Sequence, residues 1–412
     1  MTDTLDTQTV AAVVERKKLQ RHFGRFDILF FLICTIVGVD TIATVAQGGG
    51  QAFTWMMIFA VVFFVPQALL FAELGSAFPQ EGGPYYWTRL AFGHLAGAVN
   101  NFLYWITNPV WIGGTLTISC LGAVEVFFNH GASVATPVWF IIALAFVWLS
   151  IIAAITSFSV GKWLPTAGAM ARFLLLGLFT ITVLIYAAKN GAHGLGASGY
   201  RPNASGFVLL VGVLLFILCL LTSGATWIMG SDRALAVSCY DGAGPRPLGV
   251  INARYGTPVR VNVLSGIVAS IVVVLAHQIT SGDAAKYFNA VLGVTISTTL
   301  ISYLLIYPAL WKLRRSHPGT PRPYRMPAYR VLTVLLMILV AVASVQLIAP
   351  GLGSSWFGSD FIPEGWTYAQ RFTYLWTELI PVLSFVVIGT LFWWLGRRTR
   401  AQAAAPELEE LS

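Results

Sequence analysis

Apolar stretches long enough to cross a membrane recur along almost the whole 412-residue chain. A membrane-spanning helix needs about 20 predominantly apolar residues. Charged residues make up only 10% of the chain, whereas a soluble domain carries about 25%. The sequence therefore predicts an all-α polytopic membrane protein of about ten spans. The predicted spans are 26–46, 52–76, 95–125, 137–156, 165–188, 206–230, 259–279, 286–310, 329–349 and 376–396.

Basic residues fall mostly on one side of these spans. An even number of spans places both termini on the same side, and all but four of the 25 lysines and arginines lie on that side. Cytoplasmic loops are enriched in Lys and Arg. We therefore expect a multi-pass protein of the cell membrane, embedded in the lipid bilayer, with both termini in the cytoplasm. The location of the basic residues on this one side accounts for the net charge of +8, which therefore does not indicate a nucleic-acid partner.

The first span carries polar and ionisable groups at a depth where hydrocarbon would surround them. Residues 26–48 read FDILFFLICTIVGVDTIATVAQG, so Gly38 and Asp40 interrupt an otherwise apolar helix that also carries Thr35 and Thr41. Intramembrane acids are usually functional, and an interrupted helix with polar groups at mid-depth is typical of substrate sites in secondary transporters. The alternative is a glycine that permits close helix packing and an aspartate paired inside the bundle.

A second ionisable residue, Arg172, lies about two turns into the fifth predicted span. Two interpretations stay open. The side chain could extend to the cytoplasmic interface, or it could face the bundle and pair with Asp40 or with freed backbone carbonyls.

No residue pattern indicates catalysis or metal binding. The four cysteines, Cys34, Cys120, Cys219 and Cys239, lack metal-ligand spacing. The spans contain no cluster of His, Asp and Glu and no nucleophile motif. We therefore expect no enzymatic activity, no cofactor and no metal.

Four motifs together resemble the amino acid–polyamine–organocation superfamily of permeases. They are TIVGVDTIA at 35–43, AELGSAFPQEGGPY at 72–85, TSGATWIMGSDRALA at 222–236 and NARYGTP at 252–258. The loop motifs are more specific than the helix motif, and the resemblance covers most of residues 22–400.

The resemblance implies a leucine-transporter-like bundle, in which two inverted repeats of five helices precede two extra helices. It also implies an amino acid or related amine as substrate, moved by alternating access and bound where the first helix unwinds. The implied domains are a basic tail at 1–25, a permease domain at 26–400 and a second tail at 401–412. Within the permease domain, the first repeat is 26–188, the shortened second repeat is 206–310 and the extra helices are 329–396.

The resemblance also implies roles for particular residues. Arg172 stands where family members often carry a lysine that replaces a sodium ion. Because an arginine cannot release a proton at accessible pH, Arg172 is not expected to carry a coupling proton. Whether transport is coupled to a proton or to another ion stays open, as does the oligomeric state. The implied substrate-binding residues are Thr35, Val37, Gly38, Val39, Asp40 and Thr41. The candidates for coupling or gating are Arg172, Thr222 and Ser223.

One part of the family pattern is missing. The front of the sixth helix, at 206–216, runs directly into the back of the eighth, at 217–230. Two spans and their loops, together more than about 40 residues, are absent. Because the sixth and eighth helices run in the same direction, later segments keep their sides of the membrane. Two hypotheses follow: a permease that transports, or an internally deleted paralogue or isoform that inserts into the membrane without transporting.

Overall fold

The computed structural model describes residues 25–39, 49–160, 163–191, 206–350, 363 and 365–402. Helices account for most of these residues. In chain order they are α1 (Arg25–Ile36), α2 (Gly49–Phe59 and Val65–Ala77, joined by the π-helical turn Ala60–Phe64), α3 (Gly83–Phe92), α4 (His94–Trp111 and Thr117–Phe128, joined by the π-helical turn Ile112–Leu116), α5 (Thr136–Val160), α6 (Trp163–Asn190), α7 (Gly206–Tyr240), α8 (Val259–Thr280), α9 (Ala284–Ser316), α10 (Tyr329–Ile348) and α11 (Arg371–Leu395).

Nine helices within the described ranges, α2 and α4–α11, are long and apolar enough to cross a membrane. α1 contributes a further, shorter apolar helix at Phe26–Ile36. The prediction of an all-α polytopic membrane protein is therefore confirmed.

The bundle has apolar side chains on its outside and polar side chains inside it. Val61 and Val331 are among the many large apolar residues that are exposed, whereas Asn100, Asn101 and Asp232 are buried. Lipid tails can cover apolar side chains, but every polar group at that depth needs a partner within the protein. This distribution is the one that a membrane-embedded bundle requires.

α7 is longer than the sequence predicts. It continues without interruption to Tyr240, beyond the predicted end at 230. Asp232 lies in this extension, and its carboxylate accepts hydrogen bonds from Trp105 Nε1 (2.9 Å), Asn262 Nδ2 (2.7 Å) and Ser265 Oγ (2.7 Å). In the sequence, the charged residue Asp232 indicates the end of a span. In the structure, donors from α4 and α8 satisfy its carboxylate, so the helix can continue past it.

A buried carboxylate fixes the end of α2. Glu73 has no exposed surface, and its oxygens accept from Arg314 Nε (2.7 Å), Arg314 Nη2 (2.5 Å) and the backbone N–H of Met326 (2.7 Å). Arg322 Nε lies 3.5 Å from the same carboxylate. Charge-assisted hydrogen bonds of this kind are strong, so Glu73 ties α2 to the end of α9 and to the loop that leads into α10.

Candidate functional site

α1 ends at a break in the helix. Its last helical residue is Ile36, and Val37 and Gly38 are not helical. The Val37 N–H still donates to Ile33 O (3.2 Å), whereas the Gly38 N–H turns back to Ile36 O (3.0 Å). The last carbonyls of a helix lack partners within it, so the carbonyls at this end need donors from elsewhere in the protein.

Side chains of α6 and α7 supply those donors. Ser223 Oγ donates to Cys34 O (3.3 Å), and Trp227 Nε1 donates to Thr35 O (3.0 Å). Arg172 Nε donates to Val37 O (3.0 Å). A buried carbonyl left without a partner costs about 1–3 kcal/mol. These three contacts therefore determine where the broken end of α1 sits.

Arg172 faces the interior of the bundle and is 1% exposed. Besides Val37 O, its guanidinium donates to Gly168 O (2.9 Å), Cys219 O (3.0 Å) and Thr222 Oγ1 (3.3 Å). Of the two interpretations left open by the sequence, the structure shows pairing with a freed backbone carbonyl. An extended side chain at the cytoplasmic interface is not what the structure shows.

A cavity of about 530 Å³ lies beside the break. Thr35, Ile36 and Gly38 form the part of its wall that α1 contributes. The rest of the wall comes from α2, α3, α4, α7 and α9. These lining residues are Phe71, Pro84, Trp87, Tyr104, Thr107, Asn108, Trp111, Trp227, Leu292, Thr295, Ile296, Thr299, Tyr303 and Ile306.

The cavity wall combines aromatic rings with neutral polar groups. No Asp, Glu, Lys or Arg is present among the described residues that line it. The Thr295 and Thr299 hydroxyls donate to the backbone carbonyls of Val291 (2.7 Å) and Thr295 (3.0 Å). Because each hydroxyl donates its proton to its own helix, its oxygen has lone pairs left for a ligand. Aromatic faces attract organic cations, so the wall suits a small molecule with a positively charged amine.

The structure divides the predicted substrate-binding residues into three groups. Thr35 and Gly38 line the cavity. Val37 turns its carbonyl to Arg172, and Val39 is buried in the apolar core and does not line the cavity. The other two predicted residues, Asp40 and Thr41, lie outside the described residues.

The three candidates for coupling or gating lie together near the end of α1, outside the cavity wall. Arg172 contacts Thr222 directly, and Ser223 holds the neighbouring carbonyl of Cys34. None of the three is a wall residue. Their contacts fit a role in positioning the broken helix.

Sequence reasoning missed the contribution of α9 to the cavity. Leu292, Thr295, Ile296, Thr299 and Tyr303 all line it. Their spacing of three and four residues places them on one face of a helix, and this spacing is visible in the sequence. It was not informative by itself, because threonines in membrane helices commonly bond to their own backbone.

A bundle of membrane-spanning helices, with a broken first helix opening onto an internal cavity, is the architecture of a helical membrane permease. The chain belongs to the amino acid permease family, whose family model matches residues 23–205 and 199–369. It is thus a multi-pass membrane protein of a transporter family and not an enzyme.

Several curated proteins are similar to this chain. A probable agmatine/putrescine antiporter of Lactococcus lactis is 22% identical over 482 aligned positions, which cover 95% of this chain and 98% of the relative. An uncharacterized transporter of Legionella pneumophila is 25% identical, covering 75% of this chain and 85% of the relative. An uncharacterized amino-acid permease of Schizosaccharomyces pombe is 24% identical, covering 73% and 57%. The alignment to the Lactococcus protein is longer than the 412 residues of this chain, so that relative carries residues that this chain lacks.

Proposed function

We propose that the chain is a secondary transporter that moves an amino acid or a related amine across the cell membrane by alternating access. The observation that carries this proposal is the cavity of about 530 Å³ bounded by the broken end of α1. Non-helical backbone at membrane depth is tolerated where it lines a cavity or is buried in protein. A break placed at an internal cavity is how transporters of this type bind substrate.

An amine is the substrate group that the cavity wall favours. Aromatic rings and neutral oxygen acceptors surround the space, and both attract an ammonium group. Asp40 follows the cavity-lining Gly38 by two residues and would add a carboxylate partner for that ammonium. The Lactococcus relative, named for agmatine and putrescine, supports the same class of substrate.

Arg172, Thr222 and Ser223 would act on transport by holding α1. Arg172 contacts Val37 O and Ser223 contacts Cys34 O, whereas Thr222 contacts Arg172. A movement of α6 against α7 would therefore reach the substrate site through the end of α1. Because an arginine keeps its proton at accessible pH, Arg172 would serve as a fixed positive charge and not as a proton carrier.

The second candidate function is a permease descendant that inserts into the membrane but does not transport. Two observations favour it. α7 is one continuous helix of 35 residues where the family pattern has the broken sixth helix, a seventh helix and an eighth. The family match also falls into two stretches that meet at residues 199–205, close to the point where the pattern is interrupted.

Uptake into proteoliposomes separates the two candidates. The full chain would be reconstituted and tested with radiolabelled amino acids, agmatine and putrescine, against empty vesicles. We expect uptake of at least one compound above the empty vesicles. Absence of uptake for every compound would refute the transport proposal. The second candidate would then gain support if insertion of a complete sixth-to-eighth segment creates activity.

Two threonine variants test whether the cavity is the substrate site. Thr295→Val and Thr299→Val remove hydroxyls from the wall, and each lost hydrogen bond should weaken binding by about 0.5–1.5 kcal/mol. We therefore expect KM to rise about two- to tenfold in each variant. Thr390→Val is the matched control, since Thr390 is exposed on α11 and makes the same kind of bond to its own helix (2.9 Å to Val386 O). An unchanged KM in both cavity variants would place the substrate elsewhere.

A further inference from the structure

Glu378 is a carboxyl group buried inside a membrane-spanning helix. It lies about two turns from the start of α11 at Arg371, and it has no exposed surface. Within the described part of the chain, neither of its carboxyl oxygens has a hydrogen-bond partner. This sets it apart from Glu73 and Asp232, the other fully buried acids described above, whose oxygens accept several hydrogen bonds.

The carboxyl of Glu378 sits against the backbone of α9 at Gly293. A Cβ atom at Gly293 would lie 2.3 Å from Oε1, 2.7 Å from Cδ and 2.8 Å from Oε2 of Glu378. Real Cβ atoms do not approach other atoms so closely. Only a glycine at this position therefore leaves room for the carboxyl between α9 and α11.

The space beside Gly293 that holds the carboxyl, here called the notch, offers it no counter-charge from the described residues. Tyr374, one turn earlier on α11, is a neighbouring titratable group, and its hydroxyl donates to Leu347 O of α10 (3.3 Å). On α9, Tyr287 donates to Gly113 O (2.6 Å). Of the described Lys, Arg and His residues on α4, α9 and α10, none forms an ion pair with Glu378.

An ionised carboxylate without a partner is strongly disfavoured in hydrocarbon, and such a group takes up a proton instead. The geometry therefore requires Glu378 to be a neutral acid in this conformation. To lose its proton, the carboxyl would have to leave the notch and reach water or a cation.

We propose that Glu378 is a proton-binding site within the membrane and that α9 responds to its protonation through Gly293. Leu292, Thr295 and Ile296, which flank Gly293 on α9, line the cavity. Departure of the ionised carboxyl from the notch would change how α9 and α11 pack. It would thereby move the wall of the cavity, and proton binding would be linked to the proposed substrate site. This link to substrate rests on the proposed function, whereas the proton site itself does not.

Carbodiimide labelling tests the proton site directly. A protonated carboxyl adds to the carbodiimide carbon and gives its proton to a carbodiimide nitrogen, whereas a carboxylate does not. The full chain in lipid nanodiscs would be treated with dicyclohexylcarbodiimide at pH 6, 7, 8 and 9, and the modified residue located by peptide mass spectrometry. We expect an adduct on Glu378 at pH 7 that decreases as the pH is raised. Absence of an adduct at every pH would overturn the proposal.

A glycine pair tests the notch. Gly293→Ala places a methyl group where the carboxyl sits, so Glu378 should move and its labelling at pH 7 should fall at least severalfold. Gly122→Ala is the matched control, because a Cβ at Gly122 meets nothing within 4 Å. Equal labelling of Glu378 in both variants would show that the carboxyl does not sit against α9.

Transport measurements test the link to substrate. Glu378→Gln keeps the shape of the neutral acid but cannot release a proton. We expect wild-type uptake to change severalfold with an imposed pH gradient and uptake by Glu378→Gln to be independent of it. An identical pH-gradient response in both proteins would overturn the link. If the wild-type protein shows no uptake, the proposed function and its link to Glu378 both fail, and the labelling result still decides the proton site.

Discussion

Replacing Arg172 by methionine should release the broken end of α1 from the bundle. Methionine is similar in length to arginine and apolar, so the variant removes the hydrogen-bond donors while it retains much of the packing. The donor to Val37 O is the one that matters most. Gly168 O and Cys219 O lie within the continuous helices α6 and α7 and keep their helical partners, whereas Val37 lies outside any helix.

The expected magnitude follows from that single contact. A buried acceptor that loses its partner costs about 1–3 kcal/mol. If this cost falls on the docked position of α1, the equilibrium between docked and released α1 shifts by about 5- to 150-fold. Arg172→Lys should give a smaller shift, because one ammonium group can still bond to a carbonyl but cannot reproduce the fork of the guanidinium.

Cys34 provides the assay. Its side chain is fully buried, and its Sγ lies 3.4 Å from Thr226 Oγ1 and 3.5 Å from Arg172 Nη1. In a background where the other three cysteines are replaced by alanine, maleimide should reach Cys34 only when α1 leaves its position. The labelling rate should then rise about 5- to 150-fold in Arg172→Met.

Arg233→Met is the control for this experiment. Arg233 is also an arginine of the bundle, but it is 16% exposed and pairs with Glu81 at 3.3 Å, away from α1. It should leave the labelling rate of Cys34 unchanged. Equal rates in Arg172→Met and in the wild-type background would show that Arg172 does not hold α1.

Two further predictions concern the packing around this site and the loop after α9. Gly168→Ala should destabilise the protein by about 1–3 kcal/mol in chemical denaturation in detergent, because a Cβ there would lie 2.5 Å from Thr222 Oγ1. Gly177→Ala on the same helix meets nothing within 4 Å and should be neutral or slightly stabilising; equal losses in the two variants would contradict the reasoning. Glu73→Gln should lower the free energy of unfolding by about 3 kcal/mol, since it leaves the buried side of Arg314 without a carboxylate. Faster proteolysis of the loop 317–328 is expected with it, and an unchanged cleavage rate would count against this role for Glu73.

The membrane-spanning helices could be predicted from the sequence because their length and apolar composition are local properties. The end of α7 could not. Asp232 indicates the end of a span, and the donors that make it acceptable within the helix, Trp105, Asn262 and Ser265, come from α4 and α8. Such partners are adjacent only after folding.

Those features of the candidate site that are local in the sequence could be predicted, and those that depend on packing could not. Gly38 marks a weak point in α1, and the structure has non-helical backbone there. The direction of Arg172 depends on where α6 packs against α1 and α7, which no local pattern determines. Thr295 and Thr299 were missed because their hydroxyls bond to their own helix, so the same residues would be expected on a lipid-facing helix.

The uninterrupted course of α7 has a mechanical consequence. As a continuous helix of 35 residues, about 50 Å long, it has no break at which one end could move independently of the other. If the chain transports as proposed, independent movement of two halves of a helix would fall to the break at Val37–Gly38 in α1, a single pivot where the family pattern has two.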